Sequence, residues 1–160
     1  MLPVETVQPP YHLFRRGIEA DLLPYAQAHH IGVLAYGPLA HGLLGGAITG
    51  ATTFGPGDWR ARSRAFTGDG FARNLQVVTA LRAFAARRGA TIAQLAVAWV
   101  LQNRNVAAAI IGATRPEQVR ENVKASGVVL EPGLLKRIDE ALAPVIQRDP
   151  ALTQSPAHRP

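Results

Sequence analysis

The sequence contains no cysteine, which excludes disulfide bonds and thiolate chemistry. It also lacks any apolar run close to the roughly 18 residues that would suggest a membrane-spanning helix. No basic segment followed by an apolar one opens the chain, so the pattern of a signal peptide is missing as well. We therefore expect a cytoplasmic protein with no membrane partner.

Charged residues are scarce, at 18% against 48% hydrophobic residues, which is typical of a folded globular chain. The net charge is +6, and such an excess is one property of nucleic-acid binders. However, the basic residues are scattered, and no aromatic residues alternate with them as a single-strand binder requires. We therefore expect no nucleic-acid partner, and a solvated surface or a pocket for an anionic cofactor explains the charge better.

Strand and helix patterns alternate along the chain. Short apolar segments at residues 4–8, 31–36 and 106–111 predict three strands, and the second has no polar alternation, as in a parallel strand covered on both faces. Between and after them, apolar residues recur at helical spacing. The patterns Thr91-x-x-Gln94 and Thr114-x-x-Glu117 are typical of helix N-termini. The chain is therefore predicted to be an α/β fold with parallel strands and outer helices.

Residues 37–70 form a long glycine-rich stretch, and irregular segments of this length inside a domain are usually functional or disordered. The folded part is predicted to span residues 1–147, with a flexible tail at 148–160. Three strands are too few for a closed (β/α)₈ barrel, which has eight strands over roughly 250 residues. The chain therefore has the pattern of a piece of a larger α/β design.

Three segments at the predicted strand ends carry a resemblance to a known family. They are QPPYH at 8–12, AYGPLAHGLLGG at 35–46 and IIGATRPEQVREN at 110–122. In this order and spacing they resemble the last three β/α units of the aldo-keto reductases, NADP(H)-dependent (β/α)₈ barrels that reduce aldehydes and ketones. The segments DWRARSR at 58–64 and TIAQLAVAW at 91–99 are similar to bacterial members. The resemblance implies a partial, half TIM-type barrel.

The resemblance also implies a cofactor site at the C-terminal ends of the strands, where such barrels have their active sites. It matches Gln8 to a contact with the nicotinamide carboxamide and Tyr36 to a ring stacked on the nicotinamide. By themselves, a glutamine before two prolines is more typical of a turn, and a tyrosine at a strand end is equally typical of a core position. The positions that match the pyrophosphate contacts are Pro38, Leu39 and Ala40.

The pyrophosphate segment departs from the family pattern at two positions. Members usually have serine where this chain has Gly37, and many have lysine where it has Ala47, so a hydroxyl donor and a cation are missing. We keep Gly37 in the site for its backbone N–H, which can serve an anion. Arg60 or Arg62 is a candidate replacement for the cation, with Arg62 assigned to the site, although loop arginines are more often only solvated.

The segment IIGATRPEQVREN matches the positions that hold the adenosine 2′-phosphate. Gly112 permits close backbone approach, and Thr114 with the first turn of the following helix offers donors to an anion. Arg115 adds a full charge. Thr114 also has a structural interpretation as the N-cap of that helix.

Three polar residues of the same helix match positions near the adenine, and their helical spacing places them on one face. They are Gln118, Glu121 and Asn122.

The family's catalytic residues, an Asp, a Tyr, a Lys and a His, lie on barrel strands that the resemblance does not cover. There the tyrosine donates a proton while the nicotinamide supplies hydride. The lysines of this chain, Lys124 and Lys136, match outer helices instead. We therefore assign no catalytic residue, expect no reductase activity from the chain alone, and expect exposed half-barrel edges to favour a homo-oligomer.

Three functions stay open at this point. The first is an oxidoreductase that uses NADPH on a small carbonyl substrate. The second is a non-catalytic NADP(H)-binding or assembly module. The third is a half-barrel recruited to another reaction such as hydrolysis, although no Ser-His-Asp arrangement and no metal spacing supports it.

Overall fold

The computed structural model describes residues 3–148, which form an α/β fold with one parallel sheet. The predicted tail at 148–160 lies outside the described residues except for its first member. In chain order the elements are β1 (Thr6–Val7), α1 (Leu22–Ala28), β2 (Gly32–Tyr36), α2 (Gly68–Ala86), α3 (Ile92–Leu101), β3 (Val106–Ile110), α4 (Pro116–Val123) and α5 (Pro132–Leu142). Among these residues, no helix is long and apolar enough to cross a membrane.

β2 is the central strand, and both of its neighbours run parallel to it. Val7 lies opposite Val33, and Ile110 lies opposite Tyr36. Beyond the end of β1, a further parallel bridge joins Pro10 to Tyr36. The predicted parallel sheet is confirmed, and the carboxyl ends of its strands meet at one edge.

Helix α3 is the centre of the core. Every residue from Ile92 to Val100 is buried, which a helix tolerates only where other elements cover all of its sides. Its N-terminus has the predicted capping box: the Gln94 backbone N–H donates to Thr91 Oγ1 (3.2 Å), and the Thr91 N–H donates to Gln94 Oε1 (3.0 Å). The apolar stripe of α5 packs into the same core through Leu134, Ile138 and Leu142.

The loop after β1 is anchored to α5 by a polar network. The Tyr11 hydroxyl and Arg16 Nε both donate to Glu19 Oε1, each over 2.7 Å, and Arg16 also pairs with Asp139 of α5. Burial, and then the adjacent Glu19 carboxylate, raise the pKa of Tyr11 above its usual range. The network therefore fixes the part of the loop that holds residues 12–15.

The N-cap of α4 differs from the prediction. The cap residue is Arg115, not Thr114, because Pro116 occupies the first helical position and its fixed φ starts the helix there. Two backbone donors just before the helix are bound by a side chain within it, since Gln118 Oε1 accepts from the N–H groups of Thr114 (2.8 Å) and Arg115 (3.2 Å). The predicted capping box of Thr114 and Glu117 is therefore wrong.

The sequence predicted that β2 is covered on both faces, but one of its faces is only half-buried. In β2 only Val33 and Ala35 are buried, and in β3 only Val106 is. Ile110 of β3 is 41% exposed. The apolar sequence of β3 provides a surface for a neighbour, but no described residue forms a fourth strand beside it.

The glycine-rich loop is shorter than predicted, because α2 already begins at Gly68 and the loop therefore covers residues 37–67. Gly70, in the first turn of α2, packs directly against the loop. A Cβ at this position would lie 2.2 Å from the carbonyl oxygen of Arg64. Glycine at position 70 is therefore what allows the end of the loop to lie against α2.

Gly70→Ala is expected to destabilise the fold by about 1–3 kcal/mol, because relieving the contact requires a backbone shift. Urea unfolding would measure the change. Gly57→Ala is the matched control, since nothing lies within 4 Å of a Cβ there. Equal unfolding midpoints for the two variants would contradict the packing described.

Candidate cofactor-binding groove

A groove of about 1000 Å³ runs along the C-terminal ends of β2 and β3. One wall is the turn after β2, and the other is the turn after β3 together with α4. It brings together many of the residues predicted from the sequence. They are Gly37, Pro38, Leu39, Gly112, Gln118, Glu121 and Asn122.

The remaining predicted residues lie elsewhere among the described residues. Gln8 is exposed just after β1, and Tyr36 is half-buried at the end of β2, next to the groove in sequence but outside its lining. Ala40 and Arg62 line a second cavity. A shallow depression at the start of α4 contains Thr114 and Arg115.

The turn after β2 has an unusual backbone. Gly37 has a φ of 69°, and two residues with side chains, Ala40 and His41, also have positive φ values of 48° and 56°. For the two residues with side chains, positive φ values cost of order 1–3 kcal/mol each and persist where the surrounding structure fixes them. Here the turn is fixed by its own backbone, since Ala40 N–H donates to the Gly37 carbonyl (2.9 Å) and Gly42 N–H to that of Leu39 (3.0 Å). The Ala40 N–H is therefore engaged within the turn.

Arg60 is the loop arginine that lines the groove. Its Nε and terminal nitrogen form a fork onto the Asp58 carboxylate at 3.0 and 2.6 Å, and its other terminal nitrogen donates to the His41 carbonyl (3.2 Å). These hydrogen bonds from Arg60 hold the pKa of Asp58 below its usual value. Arg60 therefore joins the long loop to the strained turn and fixes one edge of the groove.

A second arginine in the groove lining was missed by the sequence reasoning. Arg82 of α2 lines the groove and donates to the Gly46 carbonyl over 3.1 Å. Nothing in the spacing of α2 distinguishes it from other exposed arginines of that helix, because only the tertiary fold brings α2 to the turn.

The face of α4 toward the groove is partly engaged by the protein itself. Glu121 Oε1 accepts from Gln94 Nε2 of α3 (2.8 Å), and Lys124 approaches the other carboxylate oxygen at 3.4 Å. Gln118 caps the helix, as described above. Gly112 has nothing within 4 Å of a Cβ position, so no packing of the described chain requires a glycine there. The open space beside Gly112 leaves the backbone accessible from the groove.

The second cavity, of about 550 Å³, lies on the other side of the strained turn, whose His41 lines both spaces. His12 lines it and is 8% exposed, and its Nδ1 is buried without a hydrogen-bond partner. Burial, and then His41 and Arg15, lower the pKa of His12 to about 3. The His12 and His41 rings meet edge to face at 6.4 Å, a pairing that the sequence did not predict.

The buried His12 makes stability depend on pH. His12 is neutral in the folded protein, whereas in the unfolded chain it binds a proton near its ordinary pKa of 6.5. The unfolded state therefore binds more protons below about pH 6.5, and His12 makes the free energy of unfolding decrease as pH falls toward about 3. His12→Gln is expected to reduce the slope of the free energy of unfolding against pH, by an amount that corresponds to the uptake of at most one proton. Urea unfolding at a series of pH values would measure it.

Two results would contradict this interpretation. One is an unchanged slope in His12→Gln. The other is a His12 ring that takes up its proton at or above pH 6.5 in an NMR titration of the native protein.

The sequence matches a family model and known relatives. The model of the aldo/keto reductase family matches residues 1–143. A probable voltage-gated potassium channel subunit beta from Arabidopsis thaliana is 36% identical over 157 residues, which cover 92% of this chain and 45% of that protein. An NADH-specific methylglyoxal reductase from Escherichia coli is 34% identical over 142 residues, which cover 87% of this chain and 43% of that protein.

The fold matches a solved structure as well. The glycerol dehydrogenase AKR11B4 from Gluconobacter oxydans is similar with a TM-score of 0.86 and 38% identity, over 91% of this chain and 44% of that one. The chain therefore spans less than half the length of these relatives. Because the family model covers most of the sequence and the fold matches a solved relative at 38% identity, the chain belongs to the aldo/keto reductase family of oxidoreductases.

Proposed function

We propose that the chain is the cofactor-binding part of an NADPH-dependent aldo-keto reductase that reduces a small carbonyl compound. The observation that carries the proposal is the groove at the ends of β2 and β3. It brings together residues from two of the three segments that resemble the family, 35–46 and 110–122. When bound, NADPH supplies hydride. The residues of this chain bind and orient the cofactor.

The groove suits an extended, anionic dinucleotide. Arg82 supplies positive charge beside the turn after β2, where the pyrophosphate is proposed to lie, and Arg60, paired with Asp58, fixes that edge of the groove. Gln8 follows β1 and Tyr36 ends β2, and the nicotinamide is proposed to lie where these two strand ends meet. At the other end, Gln118 and Asn122 face the adenine, and Arg115 lies beside the 2′-phosphate. Of the two loop arginines that were candidates to replace the missing lysine, Arg60 lines the groove and Arg62 does not.

The preference for NADPH over NADH rests on Arg115. A relative is named as NADH-specific, so family membership alone does not choose the cofactor. The exposed guanidinium of Arg115, at the N-terminus of α4, can form charge-assisted bonds with a phosphate that NADH lacks.

Arg115→Ala is expected to weaken NADPH binding about tenfold or more, because a hydrogen bond to a charged group is worth roughly 1.5–3 kcal/mol, while NADH binding stays unchanged. Titration followed by cofactor fluorescence would measure both constants. Arg104→Ala, an exposed arginine before β3, is the control. Equal losses for both cofactors in Arg115→Ala would contradict the assigned role.

A second candidate function is a non-catalytic NADP(H)-binding or assembly module. The observation that favours it is the groove lining, which contains no lysine or tyrosine among the described residues. Oxidation of NADPH by the chain in the presence of a carbonyl compound would exclude the module, which binds NADPH without consuming it. A chain that binds neither cofactor, even at millimolar concentration, would overturn both.

The half-barrel is proposed to associate with itself through its open edge. Beside β3 lies an apolar groove of about 360 Å³, whose lining includes Ile111, Val119 and Val123. Val119 is 51% and Val123 66% exposed, and Ile110 is exposed beside them. An open strand edge with apolar neighbours favours pairing with another chain.

Val123→Lys is expected to shift the protein toward the monomer, because a charge in the apolar contact must be desolvated. Size-exclusion chromatography with light scattering at micromolar concentration would measure the mass. Val129→Lys is the matched control, since Val129 is 71% exposed but does not line this groove. A wild-type protein that is already a well-behaved monomer would sink the proposal.

A further inference from the structure

The second cavity has the composition of a binding site that the cofactor proposal does not use. We propose that it binds an organic carboxylate with a flat, apolar body. The inference is independent of the cofactor groove, from which the cavity is separated by the strained turn that contains His41.

The walls of the cavity are largely apolar and aromatic. They are formed by Phe14 from the loop after β1, Leu43 from the turn after β2, Trp59 and Phe66 from the long loop, and Val145 after α5. The Trp59 and Phe66 rings meet edge to face at 5.8 Å. A volume of about 550 Å³ lies within the range of roughly 300–1,000 Å³ that is usual for small-molecule sites. These walls suit a ligand with one aromatic ring.

Polar side chains are buried in the same lining. His12 is 8% exposed, and Arg15 and Asn74 are each 9% exposed. A buried polar atom without a partner costs of order 1–3 kcal/mol, and His12 Nδ1 is such an atom. A neutral imidazole donates from one nitrogen and accepts at the other. A polar group of a ligand within the cavity would satisfy His12.

The charge of the lining selects an anion. Arg15 and Arg62 contribute positive charge, and none of the described residues that line the cavity is acidic. Low-dielectric walls strengthen the field of such charges within a cleft. Burial keeps His12 neutral, so this side chain can contribute a hydrogen bond but no charge. The positive charge of the cavity comes from the arginines.

The walls favour a carboxylate on an apolar body over a free phosphate. Inorganic phosphate would leave Phe14, Trp59 and Phe66 in contact with water. The ring of an aromatic carboxylate fills that space. Its planar carboxylate group can accept two parallel hydrogen bonds from an arginine guanidinium. The entrance is wide enough to be used, since Trp59 is 43% exposed and Arg62 is exposed at the rim.

The cavity is held in shape without a ligand. The segment after α5 pairs with the loop after β1, since Gln147 N–H donates to the Phe14 carbonyl (2.9 Å) and Arg16 N–H to the Gln147 carbonyl (2.7 Å). Asn74 Nδ2 donates to the Ala65 carbonyl (3.0 Å) and fixes the long loop against α2. Little ordering is therefore required on binding, which favours affinity.

The test is a calorimetric titration of the full chain with 3-phenylpropionate and with its neutral amide, 3-phenylpropionamide. The expected result is saturable binding of the carboxylate and at least about tenfold weaker binding of the amide. Equal affinities, or no saturable binding of the carboxylate, would overturn the proposal.

Two arginine variants assign the binding to this cavity. Arg62→Gln removes a charge at the rim and is expected to weaken 3-phenylpropionate about fivefold while the amide is unaffected. Arg64→Gln, an exposed arginine of the same loop outside the lining, is expected to change neither. Urea midpoints equal to that of the wild type would show that both variants are folded.

Two further outcomes count against the proposal. An equal loss in Arg62→Gln and Arg64→Gln would attribute the binding to the general charge of the loop. Stoichiometric displacement of 3-phenylpropionate by NADPH would place the ligand in the cofactor groove instead. Either result overturns the assignment to the second cavity.

Discussion

The parallel pairing of β1 and β3 onto β2 is the constraint on which the geometry of this chain depends. Parallel strands end at the same edge, so the turns after all three strands emerge together. Tyr36, the last residue of β2, is paired on both sides, with Pro10 and with Ile110. The turn that separates the two cavities starts at the next residue, so both cavities take their position from this one strand end.

Core packing and the proposed ligand contacts belong to different helices. α3 is buried along its length from Ile92 to Val100, whereas α4 has no buried residue. The two are joined by the hydrogen bond from Gln94 to Glu121, which is one reason why an exposed helix keeps its position. Polar residues in the groove thus rest on an element that contributes little to the core.

What the sequence predicted correctly was determined by local chemistry. The capping box of Thr91 and Gln94 is formed as expected because both partners lie within one turn. The parallel sheet followed from the alternation of elements. At α4 the same kind of pattern failed, since Gln118 Oε1 accepts from the Thr114 N–H that the predicted box assigned to Glu117, and a proline sets where the helix starts.

Other features depend on contacts that no local pattern contains. His12 and His41 meet because two strand ends are neighbours in the sheet. Arg60 and Arg62 are two residues apart, yet the 3₁₀ turn at Trp59–Arg62 directs them to different cavities. The burial of β3 depends on a neighbouring strand, which its own residues cannot supply. The family resemblance predicted which residues to consider, but the fold decided which of them share a cavity.

The lack of buried residues in α4 has an evolutionary consequence. A substitution of the exposed Arg115 leaves no cavity in the core, so it avoids the stability cost that limits change at buried positions. Under the proposed role of Arg115 at the 2′-phosphate, the preference between the two nicotinamide cofactors could therefore change by drift at an exposed position. Selection at such a position would act on the supply of reductant, whereas change in α3 is limited by its burial.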